Sequence, residues 1–171
     1  MMAELAGLDR CEERQRQTAI VTTLRAERPH EGTAFQRFLP TGPFALMPGP
    51  GDAGGCEMSL VWTLPNNTAQ QLIATDNASF EAACLEAFGS RLGYMALAGN
   101  RLAWPLQPAW RCRITVPGLV LAGDAAHSIH PLAGQGYNLA LADAAVLADL
   151  VVATHRRGLA ASHPSLRSAY E

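Results

Sequence analysis

The sequence predicts a mixed chain of the α/β (α+β) class, an antiparallel sheet followed by a strand, a glycine-rich loop and a helix. Three observations carry this. Strand-like runs separated by Gly/Pro turns occupy roughly the first 65 residues. The apolar run 116–122 is short enough for a buried strand, bounded by Pro117–Gly118 and Gly123. Beyond the loop, Leu139, Ala142, Val146, Leu147, Leu150 and Val151 recur at helical steps of three and four.

The chain has 171 residues, 49% hydrophobic and 16% charged, which is the composition of a folded domain with a real core. A formal charge of -2 without a basic block excludes a nucleic-acid partner of the phosphate-gripping kind. No apolar run approaches the roughly 18 residues that a membrane helix needs. The opening MMAELAGLDRCEER lacks an apolar signal core, so a cytoplasmic setting is expected. Cys11, Cys56, Cys84 and Cys112 are far apart in sequence and form no CxxC pair. They read as reduced, mostly buried thiols, with two disulfides or a metal site as the alternative.

Residues 1–16 read as a linker or frayed helix. The β-branched run 18–24 is a strand. Pro29 and Gly32 break it, residues 34–39 alternate loosely, and Pro40–Pro43 forms a turn before a strand at 44–47. Gly49–Gly55 is a turn. In 57–64, Met58, Leu60, Trp62 and Leu64 share one face of a half-buried strand. Asn66–Ala74 turns helical. A second helix near 79–89 groups Phe80, Ala83, Cys84, Ala87 and Phe88, with Asn77 or Ser79 as cap and Gly89 as stop. Residues 92–99 leave helix and strand open, and Pro105 keeps 101–106 extended. The predicted organisation is a sheet region at 17–105 and a second region at 106–153, comprising strand 116–122, loop 123–136 and helix 137–153. The first turns of a further helix fall in 154–171.

Asp124 stands just past a predicted strand, where a carboxylate accepts hydrogen bonds from sugar or ribityl hydroxyls; capping its own turn is the equal alternative. Gly134-Gln135-Gly136 permits close backbone approach to a planar ligand, and the helix start near Asn138 favours negative charge there. As a dinucleotide fingerprint it is poor, because Leu139 occupies the third glycine position. His127 and His130 with Asp124 and Asp143 offer a metal-hydrolase alternative, although His127 is better read as bonding to backbone. Pro131 fixes the chain direction. Trp62, Trp104 and Trp110 read as core, with an aromatic pocket as the alternative, and Arg37, Arg101 and Arg111 as solvated surface, with a substrate or phosphate contact as the alternative.

GDAAHSIHPLAGQGYNLALADAAVLADLV, from Gly123, closely resembles the second FAD motif of the flavoprotein aromatic hydroxylases, the group with para-hydroxybenzoate hydroxylase. Every motif position is present: Gly123 to His127, Pro131, Gly134 to Gly136, Asn138 and Asp143. EGTAFQRFLPTGPFALMPGP, SLVWTLP and FGSRLGYMALAGNRLAWPL resemble the subgroup that hydroxylates ubiquinone precursors, of the 2-octaprenyl-6-methoxyphenol hydroxylase type.

The resemblance implies that Gly123 and Asp124 meet the ribityl chain of FAD, and that Pro131 lies near the reactive edge of the isoalloxazine. Gly134, Gln135, Gly136, Tyr137 and Asn138 would present backbone to its pyrimidine ring. It implies NAD(P)H or another electron donor, O2, an aromatic and polyprenylated substrate, and a setting that extends to the inner membrane face. It singles out no catalytic base. The family's opening strand–GxGxxG–helix unit, a Rossmann βαβ unit, has no counterpart in this sequence, which therefore resembles an internal piece of such an enzyme. On that reading FAD binding by this chain is weak or absent. A chain carrying the nucleotide-binding half, or other ubiquinone-biosynthesis proteins, becomes an expected partner. A non-catalytic binding module remains the further alternative.

Overall fold

The computed structural model describes residues 2–12, 16–49 and 54–171. In chain order the elements begin with α1 (Met2–Leu5), β1 (Arg10–Glu12), β2 (Gln17–Ala26), β3 (Phe35–Leu39), β4 (Gly42–Pro48) and β5 (Glu57–Pro65). Next come α2 (Asn66–Ala74), α3 (Asn77–Phe88), β6 (Met95–Leu97), β7 (Leu102–Leu106) and β8 (Ala109–Arg111). The last are β9 (Thr115–Val116), β10 (Leu119–Val120), β11 (His127–Ser128), α4 (Gln135–Arg156) and α5 (Pro164–Tyr170). The chain divides into two compact units, Arg16–Leu106 and the pair Met1–Gln15 with Gln107–Glu171.

The Arg16–Leu106 unit is an antiparallel sheet in the order β3-β4-β5-β2-β6, with β7 also on β2. Its register follows from period-two alternation. Ile20 and Leu24 stand beside Trp62 and Met58, and Phe44 and Leu46 beside Trp62 and Leu60, so one face is continuously apolar. Helices α2 and α3 close that face with Ala69, Phe80, Cys84 and Phe88. Phe44 sits edge-on to Trp62 at 5.0 Å between ring centroids. Arg37 reaches the end of α3, donating to the carbonyls of Ala87 and Phe88 at 2.8 Å each. The opposite face is open: Phe38, Met47, Leu102 and Trp104 are all exposed, Trp104 by 70%. Trp104 is therefore not a core residue. It projects beside Ala19 on the uncovered side of the sheet.

Helix α3 starts two residues earlier than the apolar pattern suggested. Its cap is Asp76, whose carboxylate accepts from the Ser79 N–H at 2.8 Å, rather than Asn77 or Ser79. Gly89, at φ 91°, ends it. The open stretch 92–99 contains strand β6. Part of the expected Gly49–Gly55 turn lies outside the described residues.

The other unit differs more from expectation. The strand expected at 116–122 is a hairpin, β9 and β10, pairing Val116 with Leu119. Pro117 has no N–H for a ladder and Gly118 takes φ 83°, so the chain reverses there. The expected loop 123–136 holds short structure of its own, 3-10 turns at Gly123–Ala125 and Pro131–Ala133 and strand β11 between them. Residues 1–16 contain β1 as well as helix, because β1, β8 and β11 form a three-stranded antiparallel sheet in which β8 is central. Leu8, Leu121 and Ala126 are the buried centre of this unit. Helix α5 packs through Leu166, which is 3% exposed, and Tyr170 Oη donates to the Leu121 carbonyl at 3.3 Å.

Helix α4 extends two residues before and three beyond the expected 137–153. Leu139, Ala140, Asp143, Leu147 and Leu150 are half-buried at helical spacing, whereas Ala142, Val146 and Val151 are exposed. The helix is apolar on nearly every side. By length and composition it is long and apolar enough to cross a membrane, which corrects the expectation that no apolar run approaches that length. Asp143, near its middle, is bonded to the protein's own backbone.

Candidate functional site

Asp143 organises the motif. Its Oδ2 accepts the backbone N–H of Gly123 at 2.7 Å, across 20 residues of sequence. The same oxygen lies 2.9 Å from His127 Nε2, an electrostatic contact rather than an aligned hydrogen bond. One carboxylate thus fixes both ends of the Gly123–His127 segment to α4. The His127 ring nitrogen Nε2 thus lies against this helix carboxylate, where the sequence suggested a bond to backbone.

Gly123 is required by position. At φ 57° it occupies the left-handed region, and a Cβ there would stand 3.0 Å from the Ala140 methyl. The turn therefore lies directly on α4, about 6 Å along the axis from Gly136 at 1.5 Å per residue. Asp124, the next residue, is exposed and carried on this fixed turn.

A residue that sequence reasoning placed on the surface completes the scaffold. The Arg111 side chain is only 8% exposed. Its Nε donates to the Ala125 carbonyl at 2.9 Å, its Nη1 donates to the Leu8 carbonyl, and its backbone N–H donates to Ala126 at 3.0 Å. A planar guanidinium with several fixed donors suits this task, joining α1's trailing loop to the Asp124 turn. Its nearest sequence signal was alternation in AWR before the motif, too short to read. Trp110, its neighbour, is 49% exposed and not core.

The glycine pair is built for close approach. Gly134 takes φ 61° and forms the N-cap of α4 without a side-chain cap hydrogen bond. Nothing stands within 4 Å of where a Cβ would lie on Gly134 or Gly136. The first turn of α4 carries no acidic side chain, so its amino end keeps the positive character of a helix start. Asn138 Nδ2 bonds back to Gln135 Oε1 at 3.2 Å, and Tyr137 is 73% exposed. Pro131 begins the 3-10 turn that leads into Gly134.

These features fit the isoalloxazine and ribityl parts of a flavin: a glycine cradle free of Cβ atoms, uncapped helix amides and a carboxylate on a pinned turn. They do not fit the rival metal centre. Among the described residues no group of three His, Cys, Asp or Glu side chains converges on a point, and Asp143 is committed to Gly123 and His127. No disulfide joins the four cysteines, and only Cys84 is buried.

The family model described as "FAD binding domain" matches residues 4–168. The ubiquinone hydroxylase UbiL of Rhodospirillum rubrum is 43% identical over 91% of this chain and 35% of its own length. The 3-demethoxyubiquinol 3-hydroxylase of Escherichia coli (strain K12) is 37% identical over 88% of this chain and 38% of its own. The mitochondrial ubiquinone biosynthesis monooxygenase COQ6 of Homo sapiens is 32% identical over 77% and 35%. The chain thus spans little more than a third of the length of these relatives. Its fold is shared with PqsL, a probable FAD-dependent monooxygenase from Pseudomonas aeruginosa, at TM-score 0.71 and 23% identity over 99% of this chain and 46% of that one. It is shared also with the flavin-dependent halogenase CmlS at TM-score 0.75 and 16% identity, over 99% and 31%.

Proposed function

The chain belongs to the FAD binding domain family, and from that premise we propose that it supplies the flavin-ring half of an aromatic-ring hydroxylase of the ubiquinone-biosynthesis type. The observation that carries the reading is the pinned Gly123–Asp124 turn beside the uncapped start of α4. When bound, FAD supplies the redox chemistry, taking electrons from NAD(P)H or another donor and activating O2 for transfer of one oxygen atom to the ring.

The residues of this chain bind and orient. Asp124 accepts hydrogen bonds from the ribityl hydroxyls, and the Asp143 carboxylate holds Asp124's turn in place. The amides of Gly136, Tyr137 and Asn138 would hold the flavin's pyrimidine ring, and the α4 amino end would stabilise the negative charge that the reduced cofactor carries. Pro131 keeps the approach of the chain fixed beside the reacting edge. In the Arg16–Leu106 unit, the uncovered sheet face with Phe38, Met47, Leu102 and Trp104 suits an aromatic ring with an apolar tail. A substrate of that kind sets the work at the inner face of a membrane. The exposed Leu141, Val146 and Val152 of α4 suit burial against the nucleotide-binding half, in the same or another polypeptide.

The test is a titration with riboflavin 5′-phosphate, followed by amide chemical shifts in the isotopically labelled chain. Shifts should concentrate at Gly123–Asp124 and Gly134–Asn138, with affinity reduced about tenfold by Asp124→Ala, or about 1.4 kcal/mol. Absence of these shifts at millimolar ligand, or an affinity indifferent to Asp124→Ala, would reject the reading.

A further inference from the structure

Cys11 and Cys112 are separated by 101 positions in sequence, yet their Sγ atoms lie 3.5 Å apart. The fold brings them together through the β1–β8 pair, in which Cys11 faces Trp110 and Arg10 faces Arg111. Cys11 is half-buried on the strand, and Cys112 is exposed on the bend just past β8. We propose that Cys11 and Cys112 are a redox-active thiol pair that closes to a disulfide under hydrogen peroxide and locks the N-terminal strand onto β8.

The geometry needs little adjustment. A disulfide requires about 2.05 Å between sulfurs, so closure asks for roughly 1.5 Å of movement. Cys112 lies outside the ladder and is free of the pairing that fixes Cys11. The hydrogen bond with Cys112, assisted by burial, holds the Cys11 thiol above its ordinary pKa. Cys112 is exposed where Cys11 is half-buried, so Cys112 is the sulfur an oxidant meets first.

The chemistry balances in two steps. Peroxide transfers one oxygen to Cys112 Sγ, giving the sulfenic acid and one water. Cys11 Sγ then attacks Cys112 Sγ, the S–O bond breaks, and the hydroxyl leaves as a second water with the Cys11 proton. Two thiols are oxidised and one peroxide is reduced.

Closure has a structural consequence. Arg111, adjacent to Cys112, donates to both the Leu8 and Ala125 carbonyls. Stapling position 11 to position 112 restrains the backbone on both sides of that guanidinium, and with it the turn that carries Asp124. The inference stands on the thiol geometry and is independent of flavin binding.

The experiment treats the whole chain with a small excess of hydrogen peroxide and maps peptides without reduction. A peptide joining Cys11 to Cys112, reversed by dithiothreitol, is expected, with amide exchange at Arg10–Glu12 slowed at least tenfold in the oxidised form. Cys11→Ser should accumulate a sulfenic acid at Cys112 that a dimedone reagent traps. Oxidation of Cys112 in the parent chain without the joined peptide, or joined peptides only between separate molecules, would overturn the proposal.

Discussion

Asp143 shows how one side chain sets the geometry of a loop. Its Oδ2 satisfies the Gly123 N–H and lies against His127, and Asp143→Ala leaves that amide without its partner. The expected loss is about 1–3 kcal/mol, read as a lower urea midpoint at an unchanged slope. Cys84 gives a second residue-scale test. Burial pushes its thiol up from the ordinary 9.0 to about 12. Because the folded value is the higher one, the thiol's contribution to stability is complete below pH 9.0 and is lost progressively as the pH rises toward about 12. Alkylation should label Cys112 in the native protein and reach Cys84 only on unfolding; rapid labelling of Cys84 at pH 8 would contradict its placement on the buried face of α3.

At the scale of elements, the β3–β4 hairpin and the start of α3 are the sharpest cases. Gly42 takes φ 137°, and a Cβ there would run into the backbone carbonyl of Thr63 on β5. Gly42→Ala should therefore cost about 1–3 kcal/mol, visible in the thermal midpoint, where a surface substitution would cost little. The Asp76 cap is held below the ordinary carboxylate range chiefly by the Ser79 N–H. Its contribution is present above the unfolded value near 3.8 and disappears as the pH falls through the lower folded value. An acid unfolding curve of Asp76→Ala should lack that component, and a curve superimposable on the parent would refute the cap.

At the scale of the whole molecule, the long helix is the anomaly. α4 is apolar on the side it packs and on the side it exposes, including Leu141 at 51%, Val146 at 50% and Val152 at 47%. A lone amphipathic helix has no reason for the second set. Replacing Leu141 and Val152 by Gln should lower binding of an apolar dye while moving stability by no more than about 0.5 kcal/mol. A larger loss would mean that these residues pack within the chain.

Much of this was legible before any coordinates. A β-branched run announced β2, period-two alternation announced β5, and the GDAAH…GQG…D spacing announced the family. What failed to show were features made by distant residues. Arg111 looked like a surface arginine because its acceptors, Leu8 and Ala125, come from opposite sides of it in sequence. The run 116–122 looked like one buried strand because its apolar character outweighed the Pro117–Gly118 pair inside it, which turns the chain into a hairpin.

Local pattern alone determined the long strands β2 and β5, the helices α3 and α4 to within a few residues, and which family's motif the chain carries. Tertiary structure decided which groups meet: Asp143 with Gly123, Cys11 with Cys112, and Trp104 with open space instead of core. The physical reason is that periodicity records which side of an element is apolar, whereas contacts between elements depend on register and chain reversal, which no short window of sequence contains.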